Sequence, residues 1–185
     1  DVSNPSAPQP VRAWQGISSV RALWLEGSTA YVGAAGLQVL SLSDPINPVW
    51  LGGLRTSGDA LRVQVIGNNA YLADGAGLRV IDVSHPSQPV LRGSYEGATP
   101  VGDVRVVGRY AYVAVETNCM EIVDVSDPSH PTRAGGFKPP GYRRRAECID
   151  AAGDYAYVVD GRLQILDVRD PATVQQLCNL DNVGH

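Results

Sequence analysis

Four charged residues stand in short apolar runs, from which a fold could gather them into one polar site. They are Arg62, Asp103, Arg105 and Asp150. Carboxylates perturbed by neighbouring charges can act as general acids or bases, and guanidinium groups bind carboxylates bidentately. Groups of these types pair with one another more often than they catalyse. The four residues are therefore candidates for a small-ligand or hydrolytic site only if the fold brings them together.

The histidines and cysteines show no nucleophile, base or metal pattern. His85 and His130 each precede a proline in a turn-like segment, and His185 ends the sequence, so none is spaced as the base of a nucleophile. The three cysteines are Cys119, Cys148 and Cys178. They form no C-x-x-C pair and have no histidine at zinc-ligand spacing. We expect no catalytic residue, no metal and no cofactor.

One segment concentrates positive charge, because residues 137–145 read FKPPGYRRR. Its candidate partner-binding residues are Lys138, Tyr142, Arg143, Arg144 and Arg145. These side chains either clamp an acidic protein partner or form a solvated loop, and the sequence leaves both open. In the whole chain 15 basic residues stand against 19 acidic ones, a net charge of −4, which argues against a nucleic-acid partner.

These residues are carried by a repeat. A tag of the type Asp-Val-Ser-x-Pro begins at residues 1, 41, 82, 124 and 167, at spacings of 40 to 43 residues. An Ala-Tyr signature that follows a glycine places tyrosines at Tyr31, Tyr71, Tyr112 and Tyr157. The tag aspartate can accept a hydrogen bond from a backbone N–H two residues on, and the prolines end the strand before them. The identical placement of the tyrosines predicts packing between units.

Each unit reads as four short strands, and the chain as all-β. β-branched and aromatic residues fill the runs, whereas Gly, Pro, Asn and Asp fill the gaps, and no stretch has a helical apolar period. With 44% hydrophobic residues in 185, disorder is excluded. A period in the low forties with four antiparallel strands per unit is typical of a β-propeller blade, since one blade exposes two apolar faces.

The repeat resembles a known family at particular segments, which are LRVIDVSHP at 78–86, EIVDVSDP at 121–128 and LQILD at 163–167. These are similar to the LVIVD-repeat family of bacterial and archaeal β-propeller proteins. Ser41-Leu42 and Thr173-Val174 depart from the pattern. The resemblance implies a propeller on a secreted, periplasmic or cell-surface protein that binds rather than catalyses, and it supplies no catalytic residue.

Five tags accompany only four tyrosine signatures, so the chain predicts four complete blades and one extra outer strand. In one propeller domain over 1–185, the extra strand lies in 1–16, near Val11 to Gln15. The blades occupy 17–57, 58–98, 99–136 and 137–185. We expect an arc of a six- to eight-bladed ring, completed by the rest of its own propeller or by another protein subunit. The alternative is a compact four-bladed ring with a surplus strand.

Two units carry insertions. The distance from tag to tyrosine is 30 residues in three units and 33 in the fourth, and the third unit is lengthened near 116–119, at Glu116 and Asn118. In an up-and-down blade both insertions emerge on one face, and variable loops on a rigid repeat are where recognition usually occurs. The leading interpretation is a protein-binding or scaffold module that uses this face. The alternative is a small-ligand or hydrolytic site in the central channel.

The same placement puts Cys119 and Cys148 near one face of adjacent blades, which makes them a candidate disulfide, and such a bond would imply an oxidising compartment. No apolar run approaches the roughly 18 residues that span a bilayer, so we expect no membrane span. The chain opens at Asp1, and its only methionine is Met120. These two facts lead us to expect a processed N terminus or a longer product.

Overall fold

The computed structural model describes residues 3–10, 15–97, 100–141 and 144–180. These residues form four antiparallel sheets, each of four strands that are consecutive in the chain. Sheet 1 contains β1 (Ala22–Glu26), β2 (Thr29–Ala34), β3 (Gly36–Ser41) and β4 (Val49–Leu54). Sheet 2 contains β5 (Arg62–Ile66), β6 (Asn69–Ala73), β7 (Leu78–Asp82) and β8 (Val90–Tyr95). Sheet 3 contains β9 (Val101–Val107), β10 (Tyr110–Val115), β11 (Cys119–Asp124) and β12 (Thr132–Phe137). Sheet 4 contains β13 (Cys148–Ala152), β14 (Tyr155–Val159), β15 (Leu163–Asp167) and β16 (Gln175–Leu180).

The first hairpin of every sheet closes through the glycine that precedes the Ala-Tyr signature. Gly67 has a φ of +56°, and Gly27, Gly108 and Gly153 have φ values from +57° to +59°. Glycine enters this left-handed region without the steric penalty that a Cβ brings. The turn therefore returns β2, β6, β10 and β14 directly beside the strand before them. Within the described ranges the only helical element is a short 3-10 turn at Pro171–Thr173.

The tag ends the third strand of each sheet in the way that its composition predicts. Asp124 Oδ1 accepts a hydrogen bond from the backbone N–H of Ser126 at 2.9 Å, and the same bond recurs in the tags that begin at 82 and 167. Ser41, which replaces the aspartate in sheet 1, accepts the corresponding bond from Ser43 N–H at 3.3 Å. The tag is therefore a side-chain-capped turn.

The tag of sheet 3 makes stability depend on pH. The guanidinium of Arg109 and the hydroxyl and N–H of Ser126 hold the pKa of Asp124 at about 2, below the usual carboxyl value of about 3.9. A lowered folded-state pKa stabilises the fold above the unfolded pKa, and this stabilisation is lost as the pH falls from about 4 to 2. Asp124→Asn is expected to lower the free energy of unfolding by about 1 kcal/mol at pH 7, the net worth of such a bond.

The measurement is urea unfolding of wild type and Asp124→Asn at pH 7 and near pH 2. The difference between their free energies of unfolding is expected to be smaller near pH 2. Asp154→Asn is the control, because the Asp154 carboxylate accepts no hydrogen bond from the described residues. Equal losses for both variants, or a loss at Asp124 that stays constant with pH, would contradict the assignment.

The sheets stack side by side, with the inner strands β1, β5, β9 and β13 in contact in that order. Tyr31 packs between sheets 1 and 2, Tyr71 between sheets 2 and 3, and Tyr112 between sheets 3 and 4. The three tyrosines are 4 to 6% exposed, and burial raises the pKa of each. The predicted role of the tyrosines in packing between units is therefore confirmed for these three.

Both ends of the stack leave an apolar face uncovered. Ile165 of sheet 4 is only half-buried, whereas its register equivalents Val39, Val80 and Ile122 are 0% exposed. The outward side chains of sheet 4, which we call the fourth-sheet end face, are Tyr155, Tyr157, Val159, Leu163, Ile165 and Leu180. At the other end Leu23 is 59% exposed, although its equivalent in sheet 2, Val63, is 2% exposed.

The predicted fold class is confirmed. The described residues form four four-stranded antiparallel sheets, stacked as the blades of a propeller whose ring they leave open, and the chain is an arc. The extra outer strand predicted near Val11 to Gln15 falls on residues 11–14, which lie outside the described residues.

Candidate functional site

The structure brings the four predicted channel residues together as two ion pairs that join neighbouring sheets. Arg62 Nε donates to Asp103 Oδ1 at 2.7 Å, and Arg62 Nη2 donates to Oδ2 at 3.3 Å. Arg105 Nε lies 3.0 Å from Asp150 Oδ1, although its N–H is not directed along a hydrogen bond. The first pair links sheets 2 and 3, and the second links sheets 3 and 4.

The strand register explains why these four charged residues lie close together. Arg62, Asp103 and Cys148 occupy one row across the inner strands, because each pairs with the residue two positions after its sheet's tyrosine. Arg105 and Asp150 occupy the row opposite the tyrosines. Directly paired residues lie on one face of a sheet, so both rows share the face of the tyrosines that packs against the next sheet, and a charge on one sheet meets its partner on the next.

Asp103 is a structural acceptor. Its side chain is 3% exposed, and besides Arg62 it accepts hydrogen bonds from the backbone N–H of Val104 at 2.8 Å and of Ile149 at 3.0 Å. A buried carboxylate saturated by donors in this way holds the sheets in register and has no free lone pair for proton transfer. This residue therefore ties three sheets together.

The two pairs line a cavity of about 310 Å³ on the channel side, which Trp24, Gln64 and Cys148 also border. Burial raises the pKa of the Cys148 thiol, and the adjacent Asp103 raises it further. The thiol thus stays protonated at neutral pH and is a poor nucleophile. The channel lining can hold a small polar molecule, but its groups are not arranged as an acid and a base.

The inserted loops meet on one face, as the residue spacing predicts. Arg145 of the fourth-unit loop lies with Nε 2.9 Å from Oε1 of Glu116 in the third-unit turn. Asn118 Nδ2 donates to Glu121 Oε1 at 3.4 Å. Lys138 and Arg144 lie in the same loop as Arg145. Of the remaining predicted partner-binding residues, Tyr142 and Arg143 lie outside the described residues.

The expected disulfide is not formed. None of the three cysteines is in a disulfide bond. Cys119 is 0% exposed in the core between sheets 3 and 4, where Gln164 Nε2 lies 3.5 Å from its sulfur, whereas Cys148 is exposed on the channel side. β11 is the third strand of its sheet and β13 the innermost of the next. The two thiols therefore lie at different depths in the arc.

Sequence reasoning missed a row of polar residues that is buried in sheets 2, 3 and 4 and half-buried in sheet 1. The residue of the third strand that pairs with the residue after the signature tyrosine is polar in every unit, as Gln38, Arg79, Glu121 and Gln164. Arg79 is 5% exposed and Glu121 4%. Glu121 accepts from Tyr95 Oη at 3.0 Å, and burial with this contact raises the pKa of Tyr95 to about 12. The signal was available in the sequence, since one polar residue interrupts each apolar strand at a constant place.

In the described ranges no group of three or more His, Cys, Asp or Glu side chains is placed to hold a metal ion. The same part of the chain contains no helix that is long and apolar enough to cross a membrane.

The repeat units of the chain match a known protein family. The description "LVIVD repeat" matches four segments of the chain, residues 18–56, 57–97, 100–138 and 143–179. No curated protein is significantly similar. Two similar solved structures are computationally designed proteins. The designed Ika8 protein is 14% identical with a TM-score of 0.70, and the match covers 90% of this chain and 49% of that one. The designed Ika4 protein is 13% identical with a TM-score of 0.65, and the match covers 92% of this chain and 98% of that one. At these identities the likeness concerns the fold alone.

Proposed function

The chain belongs to the LVIVD-repeat family, and we propose that it is a non-catalytic protein-binding or scaffold module of a secreted or cell-surface assembly in a prokaryote. Its partner is another protein subunit or the rest of its own propeller. The observation that carries the proposal is the uncovered fourth-sheet end face, because the same face of sheets 1, 2 and 3 is each time buried by a further sheet.

The burial of equivalent residues supports this proposal. Tyr157 is half-buried where Tyr112 is 4% exposed. Tyr155 and Val159 are 41% and 37% exposed. A contiguous apolar sheet face of this kind associates with a partner of matching shape, since covering it removes apolar area from water. The partner best suited to it is a sheet of the same repeat type.

The loop face supplies a second contact surface. The ion pair between Arg145 and Glu116 fixes the inserted loop against the neighbouring unit, which lowers the entropy lost when a partner binds. Arg144 is exposed beside this pair, and its guanidinium can bind a carboxylate bidentately. On a chain of net charge −4, this local cluster is suited to an acidic protein surface.

The channel favours a second candidate function, the binding of a small polar ligand. Its 310 Å³ cavity is large enough for such a molecule, and the Asp150 side chain is 69% exposed there. Ligand binding in the channel is the weaker candidate, because the charges of Asp103 and Arg62 are already paired with each other.

Sedimentation velocity of the chain over about 1 to 300 μM, a usual range for weak interfaces, tests the proposal. We expect concentration-dependent association, with copies of the chain covering each other's end faces. Ile165→Asp is expected to weaken it at least tenfold, because it buries an unpaired charge in the interface. Leu91→Asp is the matched control, since Leu91 is 49% exposed on an outer strand away from the end face. A chain that is monomeric throughout, or an equal effect of the two variants, would refute the end-face role.

A further inference from the structure

Sheets 2 and 4 each bury an aspartate three residues after the signature tyrosine, and in sheet 2 this aspartate has a cation. Asp74 is 0% exposed. Its Oδ2 accepts from Arg79 Nε at 2.9 Å, and its Oδ1 accepts from the backbone N–H of Ala76 at 3.1 Å. The same guanidinium donates to Glu96 at 2.8 Å and to Ser57 at 2.9 Å. Every charge in this cluster is paired, as burial demands.

In sheet 4 the aspartate has no such cation. Asp160 is 5% exposed, and Gln164 stands at the register position of Arg79. The amide of Gln164 donates to Asp160 Oδ2 at 2.8 Å, while Oδ1 accepts no hydrogen bond from the residues that the structure describes. The turn after Asp160 is also one residue shorter than that after Asp74, which removes the backbone donor. Among the described residues this carboxylate forms no ion pair.

A cavity lies beside this carboxylate. Its volume is about 250 Å³, and its walls include the polar residues Arg144, Asp160, Arg162, Gln164 and Asn179 and the segment with Pro139 and Pro140. Asn179 pairs with Gln164 as Ser94 pairs with Arg79. The proline segment belongs to the loop from outer to inner strand, as Ser57 does in sheet 2. The cavity is therefore bounded by the same elements that enclose the Arg79 guanidinium.

Arg144 supplies a positive charge to the cavity. A Cβ on Gly161 would lie 2.9 Å from Arg144 Nη1, so this guanidinium rests against the turn that follows Asp160. Arg144 is exposed and forms no ion pair within the described part of the chain. The cavity wall thus contains one carboxylate, that of Asp160, and two guanidinium groups, those of Arg144 and Arg162.

We propose that this cavity binds a small zwitterion of the arginine type. The ligand's guanidinium donates to Asp160 Oδ1, the oxygen that Gln164 leaves without a donor, and the ligand's carboxylate binds the guanidinium of Arg144. The volume is at the small end for ligand sites, which matches an amino acid rather than a larger molecule. The site is separate from the end face and from the channel, but it shares Arg144 with the loop face of the proposed function.

Isothermal titration of the chain with L-arginine tests the site. We expect one binding event per chain, with an affinity at least tenfold lower for citrulline, in which a neutral urea replaces the guanidinium. Agmatine, which lacks the carboxylate, is expected to bind more weakly than arginine, and to bind wild type and Arg144→Gln equally.

Two variants test the role of Asp160 in different ways. Asp160→Asn is expected to weaken arginine binding at least tenfold, whereas Asp154→Asn, on the surface, leaves it unchanged. Gln164→Arg places in sheet 4 the arginine that sheet 2 has at Arg79, and its guanidinium fills the cavity. This variant is expected to lose arginine binding and to have a higher melting temperature than wild type. A melting curve shows that each variant is folded. No binding of arginine, equal binding of arginine and citrulline, or undiminished binding by Gln164→Arg would overturn the proposal.

Discussion

Ile122→Ala is expected to lower the free energy of unfolding by about 2–5 kcal/mol, and Ile165→Ala at the equivalent position by less than about 1 kcal/mol. Ile122 is 0% exposed between sheets 3 and 4, so its truncation leaves a cavity in a packed layer. Ile165 occupies the same register in sheet 4 but faces outward. The lost side chain there was already in contact with water.

Urea unfolding of both variants, at a protein concentration low enough to keep the chain dissociated, gives the two values. Val80→Ala serves as a second buried control, because Val80 is 0% exposed in the layer between sheets 2 and 3. If Ile165→Ala costs as much as Ile122→Ala in the dissociated chain, the fourth-sheet end face is covered from within the chain and the arc is not open.

Arg79→Gln is expected to cost about 3–5 kcal/mol of stability, because removing one partner of a buried ion pair leaves an uncompensated charge. Asp74 and Arg79 are 0% and 5% exposed, and their side chains lie 2.9 Å apart. The double variant Asp74→Asn with Arg79→Gln is expected to recover most of the loss, since both charges are then gone. Thermal and urea unfolding of the two single variants and the double variant complete the cycle.

A surface pair in the same chain provides the comparison. Arg21 and Asp59 lie 3.3 Å apart with both side chains about half exposed, and exposed pairs of this kind contribute little, on the order of 0–1 kcal/mol. Arg21→Gln should therefore be nearly neutral. A small loss at Arg79, similar to that at Arg21, would mean that water reaches the Asp74 cluster and that burial does not set its energetics.

Arg79→Gln also recreates in sheet 2 the residue that sheet 4 carries at Gln164. The fourth sheet has the buried aspartate without the cation, and a cavity bordered by the inserted loop lies beside it. Two units with the same strand pattern thus differ in the chemistry of one polar position. The repeat is therefore not uniform at the position of Arg79 and Gln164.

Much of the fold could be predicted because each unit repeats the same physical requirement. A glycine closes the first hairpin, a tag aspartate such as Asp124 caps the third strand, and the tyrosine packs on the next sheet. These interactions are local or involve only the neighbouring sheet, so they can be predicted from the order of residue types along the chain. The insertion lengths also predicted that the loops share a face, and the contact between Arg145 and Glu116 is the result.

The site could be predicted only in part, because contacts across sheets depend on register and depth. The charges of Arg62 and Asp103 allowed a polar channel to be predicted. The hydrogen bonds that Asp103 accepts from the backbone could not be predicted, because they depend on how closely β9 and β13 approach each other. The pairing of Cys119 with Cys148 was wrong for the same reason, since nearness in the fold does not set the depth of a side chain. The buried polar row was overlooked because it interrupts strongly apolar strands.

The sequence by itself determined the repeating unit, its four strands and its turns, because these arise from backbone preferences and from side chains close together along the chain. Only the tertiary structure decided which equivalent residues are covered. Tyr157 and Ile165 are the same kinds of residue as Tyr112 and Ile122, yet one pair is half-buried and the other enclosed. Burial is a property of what packs against a face, and in sheet 4 no further sheet among the described residues does so.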